Sequence, residues 1–235
     1  MANNYFKFKQ FTVYQDNCAM KVGTDGVLIG AWVKLSGEKS ILDAGTGTGV
    51  IALMMAQRCK AHVDAVEIDE MAAKQAQENI KQSPWSSRIK VFHTALQDFN
   101  PGKEYDLIIS NPPYFSNNLR NPNEKKSKAR HDVSLNMDEF LIASEKLLSR
   151  DGKLALIMPF EEGKSFIQKA PEKGIHCIRK TNVKPTPNKQ IKRILMEFSR
   201  KKIPFTEDSI TIENNKRHDY TNDYISLTKD FYLHF

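Results

Sequence analysis

Cysteine is scarce in this chain. Cys18, Cys59 and Cys177 are the only three in 235 residues. An odd, widely spaced set builds neither a disulfide framework nor a Cys-x-x-Cys zinc site, so reduced thiols and a cytoplasmic setting are expected. Long hydrophobic runs are missing too. The apolar stretches are strand-sized, which argues against a membrane-spanning helix. The opening Met1-Ala-Asn-Asn-Tyr-Phe-Lys-Phe-Lys9 lacks the apolar block of a signal peptide. With 40% hydrophobic and 27% charged residues, the composition suits one globular domain, with room for a small appendage but not for a second full domain.

Acidic residues are in deficit, 28 Asp and Glu against 35 Lys and Arg, for a net charge of +7. The distribution says more than the sum. Residues 179–202 hold nine cations (Arg179, Lys180, Lys184, Lys189, Lys192, Arg193, Arg200, Lys201, Lys202) against Glu197 alone. Residues 120–130 hold five (Arg120, Lys125, Lys126, Lys128, Arg130) against Glu124, and the remainder of the chain is net acidic. Two basic segments point to a polyanionic partner. Composition alone leaves open that they are solvated strand and loop faces.

The run Phe6-Lys-Phe-Lys-Gln-Phe-Thr-Val13 alternates apolar and polar, the period of a short strand or hairpin. From residue 41 strands and helices alternate, which implies parallel βαβ units. Strands are expected at 41–42, 62–68, 89–93, 105–110, 153–158, 175–183 and 191–199, and helices at 50–59, 71–82, 137–149 and 161–173. The last two strands are joined by Lys184-Pro-Thr-Pro-Asn-Lys189 without a helix, so they should form an antiparallel hairpin at the sheet edge. The expected fold is thus α/β, a doubly wound, seven-stranded, mostly parallel sheet with a C-terminal antiparallel hairpin and helices on both faces. Residues 1–36 are read as a hairpin and covering segment, 37–203 as a catalytic core, and 204–235 as a tail docked by Tyr220, Tyr224, Phe231, Tyr232 and Phe235. The loop 115–135 has no period, and its length marks it as functional or disordered.

Ile41-Leu-Asp43-Ala-Gly45-Thr46-Gly47-Thr-Gly49 is a strand running into a glycine turn. Glycines serve where the backbone needs positive φ or a ligand must come close. Gly47, Gly49 and Ala52, with Glu67 downstream, can be fitted to a dinucleotide fingerprint, so a nicotinamide enzyme competes. Against it, a carboxylate at Asp43 would face a pyrophosphate unfavourably, yet it suits the ammonium of a methionine moiety. The pattern Asp-x-Gly-x-Gly-x-Gly resembles the cofactor loop of class I S-adenosylmethionine-dependent methyltransferases. Glu67 and Ile68 close the second strand, where a carboxylate can accept from a ribose diol; Asp69 is placed to cap the next helix. Beyond the third strand, Thr94 stands where such enzymes often have an Asp for the cofactor adenine. Asp98 comes late, which leaves the Leu96 amide and apolar contact for that role.

The fourth strand ends in Asn111-Pro112-Pro113-Tyr114. Methylating an aromatic amine requires two acceptors that draw its N–H groups out of the ring plane and turn the nitrogen lone pair toward the methyl. The Asn111 side-chain oxygen and the Pro112 carbonyl can be those acceptors. The prolines fix φ and remove competing N–H groups, and Tyr114 offers a stacking face. A plain strand-ending turn is the alternative that composition permits.

This motif group includes adenine-N6 and cytosine-N4 methyltransferases of DNA, guanine-N2 methyltransferases of ribosomal RNA and glutamine-N5 methyltransferases of proteins. The last carry a separate helical domain ahead of the glycine loop, whereas only about 40 residues precede it here. Residues 8–32, from Phe8-Lys-Gln-Phe11 through Asp16-Asn-Cys18, Lys21-Val-Gly23-Thr24-Asp25 and Gly30-Ala-Trp32, resemble the N-terminal signature of the bacterial tRNA(Val) adenine-N6 methyltransferases. The resemblance extends over the whole chain. It implies an S-adenosylmethionine-dependent enzyme that methylates N6 of an adenosine beside the anticodon, with tRNA as partner. The chemistry requires no metal, the apolar runs give no membrane segment, and a monomer is expected. The resemblance also implies that Lys21, Gly23 and Thr24 approach the methionine end of the cofactor. Arg120, Lys125, Lys126, Lys128 and Arg130 would then lie beside the target base, and Lys184, Lys189, Lys192 and Arg193 on phosphates further along. The competing readings are a glutamine-N5 protein methyltransferase, a guanine-N2 ribosomal RNA methyltransferase and an RNA-binding protein with an inactive methyltransferase fold.

Overall fold

A computed structural model describes residues 3–16, 18, 20–113 and 136–235. The expected hairpin is β1 (Tyr5–Lys7) and β2 (Thr12–Tyr14), antiparallel with Phe6 opposite Val13. Its turn buries Phe8 and Phe11 and closes with the Phe8 amide donating to the Phe11 carbonyl at 2.8 Å. Then come α1 (Thr24–Trp32), β3 (Ser40–Ala44), α2 (Val50–Arg58), β4 (His62–Glu67), α3 (Glu70–Lys81), β5 (Ile89–His93) and β6 (Tyr105–Ser110). After the undescribed 114–135 follow α4 (Met137–Leu147), β7 (Leu148–Pro159), α5 (Phe160–Lys169), β8 (His176–Lys184), β9 (Arg193–Ser199), β10 (Thr206–Thr211) and α6 (Asn222–Thr228).

The main sheet has the order β10-β8-β9-β7-β6-β3-β4-β5. β9 alone is reversed, pairing antiparallel with both β7 and β8, so the expected hairpin and mostly parallel sheet are present. There are eight strands rather than seven. β10 lies in the segment read as a docked tail and pairs parallel with β8, Thr206 opposite Arg179 through Thr211 opposite Lys184. As an edge strand it buries only Ile210, so its sequence shows no apolar alternation. It also moves the hairpin: residues 185–192 lie at the carboxyl end of the sheet, not at its side edge.

Two apolar layers cover the sheet. One gathers α1, α2 and Ile80 of α3 with the N-terminal hairpin and the C-terminal aromatics; the other gathers α4 and α5. Helix α1 is buried from Gly26 to Trp32, so it lacks the amphipathic period that marks α3, α4 and α5. It lies close against α2, because a Cβ on Gly30 would meet Met54 Sδ at 2.7 Å. The expected helix 161–173 breaks at Ala170 into a 3-10 turn with Pro171 in its first turn. Tyr220, Tyr224, Phe231, Tyr232 and Phe235 do bring the C-terminal segment onto the first layer. Lys9 Nζ fixes the end by donating to the Phe235 carbonyl at 2.8 Å.

Candidate active site

The strand order reverses between β3 and β6, since β4 and β5 build to one side of β3 and β6 and β7 to the other. The crevice outside the carboxyl ends of such strands is where doubly wound sheets bind ligands. Three segments converge there. β3 pairs Asp43 with Ile109 of β6 and Ala44 with Val66 of β4. Continuing each register by one or two residues sets Gly45 between Glu67 on one side and Asn111 on the other, each about 5 Å away at the usual strand spacing.

The glycine loop is shaped by φ of +76° at Gly45, +54° at Gly47 and +85° at Gly49. Ideal Cβ atoms on Gly45 and Gly47 would meet nothing within 4 Å, so open space lies over the loop. The Gly45 and Thr46 amides both donate to the Val66 carbonyl at 2.9 Å, stitching the loop to the end of β4. Asp43 is fully buried. Its Oδ2 accepts from Thr46 Oγ1 at 2.5 Å and from the Ala52 amide at 3.0 Å, locking the loop to the start of α2. Its Oδ1 is buried without a hydrogen-bond partner. Burial pushes the carboxyl up to about 7, the Thr46 and Ala52 bonds pull it down, and the Glu67 charge adds to the rise.

Glu67 is aligned by backbone: Oε2 accepts from the Gly47 amide at 2.8 Å and Oε1 from the Asp69 amide at 2.9 Å. Asp69 caps α3 through the Ala72 amide at 2.9 Å, as its position predicts. Ile68 is 47% exposed beside it, an apolar face at the crevice. On the third strand's exit the Thr94 amide donates to the Glu67 carbonyl, while its hydroxyl turns to the neighbouring Ala95 carbonyl. Leu96 is buried and starts a 3-10 turn, which leaves its amide without a partner inside that turn. Asp98 is exposed.

Asn111 is half-buried, Pro112 buried and Pro113 exposed. Ser110 Oγ donates to the Ala44 carbonyl at 2.5 Å, so the Asn-Pro-Pro turn is tied to the strand that leads into the glycine loop. Tyr114 and Arg120, Lys125, Lys126, Lys128 and Arg130 lie outside the described residues.

Lys21, Gly23 and Thr24 are exposed in the segment entering α1, with Gly23 at its N-cap. Two buried side-chain amides, Gln15 and Asn79, hold that region, and neither is among the expected site residues. Gln15 Oε1 accepts from the Val22 amide and Nε2 donates to the Asn3 carbonyl, both at 2.9 Å, tying the end of the hairpin to the segment that enters α1. Asn79 Nδ2 donates to the Tyr14 carbonyl at 2.8 Å and the Thr48 carbonyl at 2.9 Å, and its Oδ1 accepts from the Tyr14 amide at 2.9 Å. One side chain thus joins β2 to the glycine loop. The clue available in sequence was an Asn on the Ala72, Ala76, Ile80 face of α3. Cys18 lies beside Glu67 and Asp69: burial first, then those two charges, pushes its thiol up to about 11.

Folding redistributes the basic segment. Arg179 pairs with Glu197, Lys180 with Glu207, Arg193 with Asp25, Arg200 with Glu145 and Lys201 with Asp151. Arg193 therefore clamps α1 to β9 at 2.7 Å in addition to any contact outside the chain. Lys184, Lys189 and Lys192 have no acidic partner among the described residues, and all three stand at the carboxyl end of the sheet. The crevice thus offers a carboxylate at Glu67 that could accept from a vicinal diol, open space over Gly45 and Gly47, and a buried, unpaired Asp43 oxygen beneath the loop. Among the described residues no His, Cys, Asp and Glu cluster could hold a metal ion, and no helix is long and apolar enough to cross a membrane.

Residues 23–170 match the family model described as methyltransferase small domain. A protein from Trichodesmium erythraeum (strain IMS101) named tRNA1(Val) (adenine(37)-N6)-methyltransferase is 51% identical over 238 residues, covering 99% of either chain. One of the same name from Parabacteroides distasonis is 47% identical over 235 residues, again covering 99% of each. Among solved structures, a predicted O-methyltransferase from Agrobacterium tumefaciens shares the fold with a TM-score of 0.67 and 17% identity, over 88% of this chain and 96% of that one. The chain belongs to the methyltransferase small domain family and, within it, to the family of the tRNA1(Val) (adenine(37)-N6)-methyltransferases.

Proposed function

We propose that this protein methylates the exocyclic N6 of adenosine 37 in tRNA1(Val), in the cytoplasm, with S-adenosylmethionine as donor. One observation carries the reading: Glu67, Gly45 and Asn111 stand side by side at the carboxyl ends of β4, β3 and β6. That spacing supports a reading in which a ribose, a methionine end and an aromatic amine bind in one line across the switch point. The cofactor supplies an electrophilic methyl on its sulfonium sulfur.

The chain's own residues supply orientation. Glu67 accepts from the ribose hydroxyls, with its carboxylate already held by the Gly47 and Asp69 amides. The Asn111 side-chain oxygen and the Pro112 carbonyl accept the two N–H bonds of adenine N6. Those acceptors draw the lone pair out of conjugation and turn it toward the position from which a bound donor would present its methyl, with the thioether as leaving group. The amine proton leaves to solvent after attack, and no general base is needed. Because the turn is fixed by two prolines and by Ser110, the acceptors need no reorganisation during transfer. An anticodon-loop base is already unpaired, so bringing it to Asn111 costs little unstacking.

The test is product identification. Unmodified tRNA transcript and labelled donor should yield N6-methyladenosine on nucleoside digestion, and replacing adenosine 37 should abolish the label. Label appearing in N2-methylguanosine, or in protein glutamine with none in tRNA, would overturn the assignment.

A further inference from the structure

A second recess lies at the carboxyl end of the sheet, on the far side of Asn111 from the glycine loop. It has a volume of roughly 440 Å³, and Phe160, Lys184, Asn188, Lys189, Gln190 and Ile191 are among the residues that form it. The size falls within the range of small-ligand sites. Its position follows from register. Ser110 of β6 is level with Leu156 of β7, so Pro159, three residues on, stands level with Pro113, and Phe160 comes next. Pro159 pairs with Arg193 of β9, and the Phe160 amide donates to the Lys192 carbonyl at 3.2 Å. The recess therefore lies just beyond the carboxyl ends of β7 and β8 and the start of β9, with β7 one strand spacing, about 5 Å, from the Asn-Pro-Pro strand.

We infer that this recess is a subsite for one unpaired nucleotide of the RNA, one or two positions from the methylated adenosine; the inference rests on the RNA reading above. Its chemistry is that of a nucleotide. Phe160 and Ile191 give an aromatic and an aliphatic surface for a base, Asn188 and Gln190 give amides for a base edge, and Lys184 and Lys189 give cations for a phosphate. Neither lysine has an acidic partner among the described residues, whereas five cations of the same segment are paired elsewhere. A free anion would need the lysines but not the ring. A cofactor held over the glycine loop would not compete, because β3 and β4 stand on the other side of β6. Reach is also right: nucleotides advance about 3.4 Å each when stacked and more when extended, so a neighbour of a base held at Asn111 arrives over β7 and β9.

The subsite predicts a coupling that can be measured by equilibrium binding. Wild-type protein and the Phe160→Leu variant are titrated with an anticodon stem-loop RNA, then with RNAs made abasic at each of the two nucleotides on either side of the target. Phe160→Leu keeps an apolar side chain against α5 and removes the stacking face. It should weaken binding of the intact RNA about tenfold, and have no further effect on the RNA abasic at the position the recess holds. Asn188→Ala, on the exposed hairpin, should couple to the same position and covers the case in which Phe160→Leu perturbs folding. The same loss on every RNA, or no loss on any, overturns the subsite. Wild-type protein that shows the coupling but transfers no methyl to tRNA would overturn the methylation reading and leave the subsite standing.

Discussion

In the proposed reaction Asn111 holds the amine, and Asp43 is the buried charge beneath the glycine loop. Asp43 brings a pH dependence with it. An unperturbed Asp titrates near 3.9, while burial pushes this one up to about 7. The folded state therefore holds that proton more tightly than the unfolded chain. Its stabilising effect is complete below about pH 4 and is lost as pH rises through 7. Urea denaturation of wild type and Asp43→Asn from pH 5 to 8 should show the wild type losing ground to the variant as pH rises; parallel profiles would refute the assignment. A cation brought to the unpaired Oδ1 favours the carboxylate. Cofactor binding at pH 6 should therefore release a proton, seen by calorimetry in buffers of different ionisation heat, and at pH 8 it should release almost none. Asn111 was legible in the sequence because two prolines after a strand demand an explanation. Ser110, Gln15 and Asn79 were not, because a single polar side chain shows nothing of its partners until tertiary structure supplies them.

At the scale of elements, the site depends on how β2, α3 and the glycine loop are joined. Asn79 is completely buried and makes all three bonds of that junction. Asn79→Ala leaves the Tyr14 amide and the Tyr14 and Thr48 carbonyls short of a partner, at a cost of about 3 kcal/mol of folding stability. It should also weaken cofactor binding beyond what a distant cavity of equal cost does. Unchanged cofactor affinity in a folded Asn79→Ala protein would show that the junction plays no part in the site. The elements themselves were largely readable: βαβ alternation gave seven of the eight main strands, and the Pro-rich connection gave the reversed β9. The misses share a physical cause. Helix α1 is buried on all sides and β10 is exposed at an edge, so neither carries the half-buried periodicity from which helices and strands are read.

Over the whole molecule, charge is where sequence and structure part most. Nine cations in residues 179–202 suggest one basic face, yet five are engaged by acids, four of them distant in sequence: Asp25, Glu145, Asp151 and Glu207. Of the other four, Lys202 lies past the opposite end of β9, and Lys184, Lys189 and Lys192 remain at the carboxyl end of the sheet for a polyanion. Replacing these three by Ala should lower the salt slope of RNA binding by about 2, at roughly 0.7 for each single-strand phosphate contact. Replacing Lys180 and Lys201 by Ala should leave that slope unchanged. Equal slopes for both variants would return the RNA contact to bulk charge.

The central claim is that the Asn111 side-chain oxygen and the Pro112 carbonyl hold the adenine amine during transfer. Single-turnover methylation of unmodified tRNA1(Val) by wild type, Asn111→Ala and Asn111→Asp tests it directly, with cofactor and RNA affinities measured alongside. Loss of one preorganised polar group should slow Asn111→Ala about 10²–10³-fold. Both affinities should stay within a few-fold of wild type, and Asn111→Asp, which keeps an acceptor, should retain more of the rate. Full-rate transfer by Asn111→Ala would contradict the account.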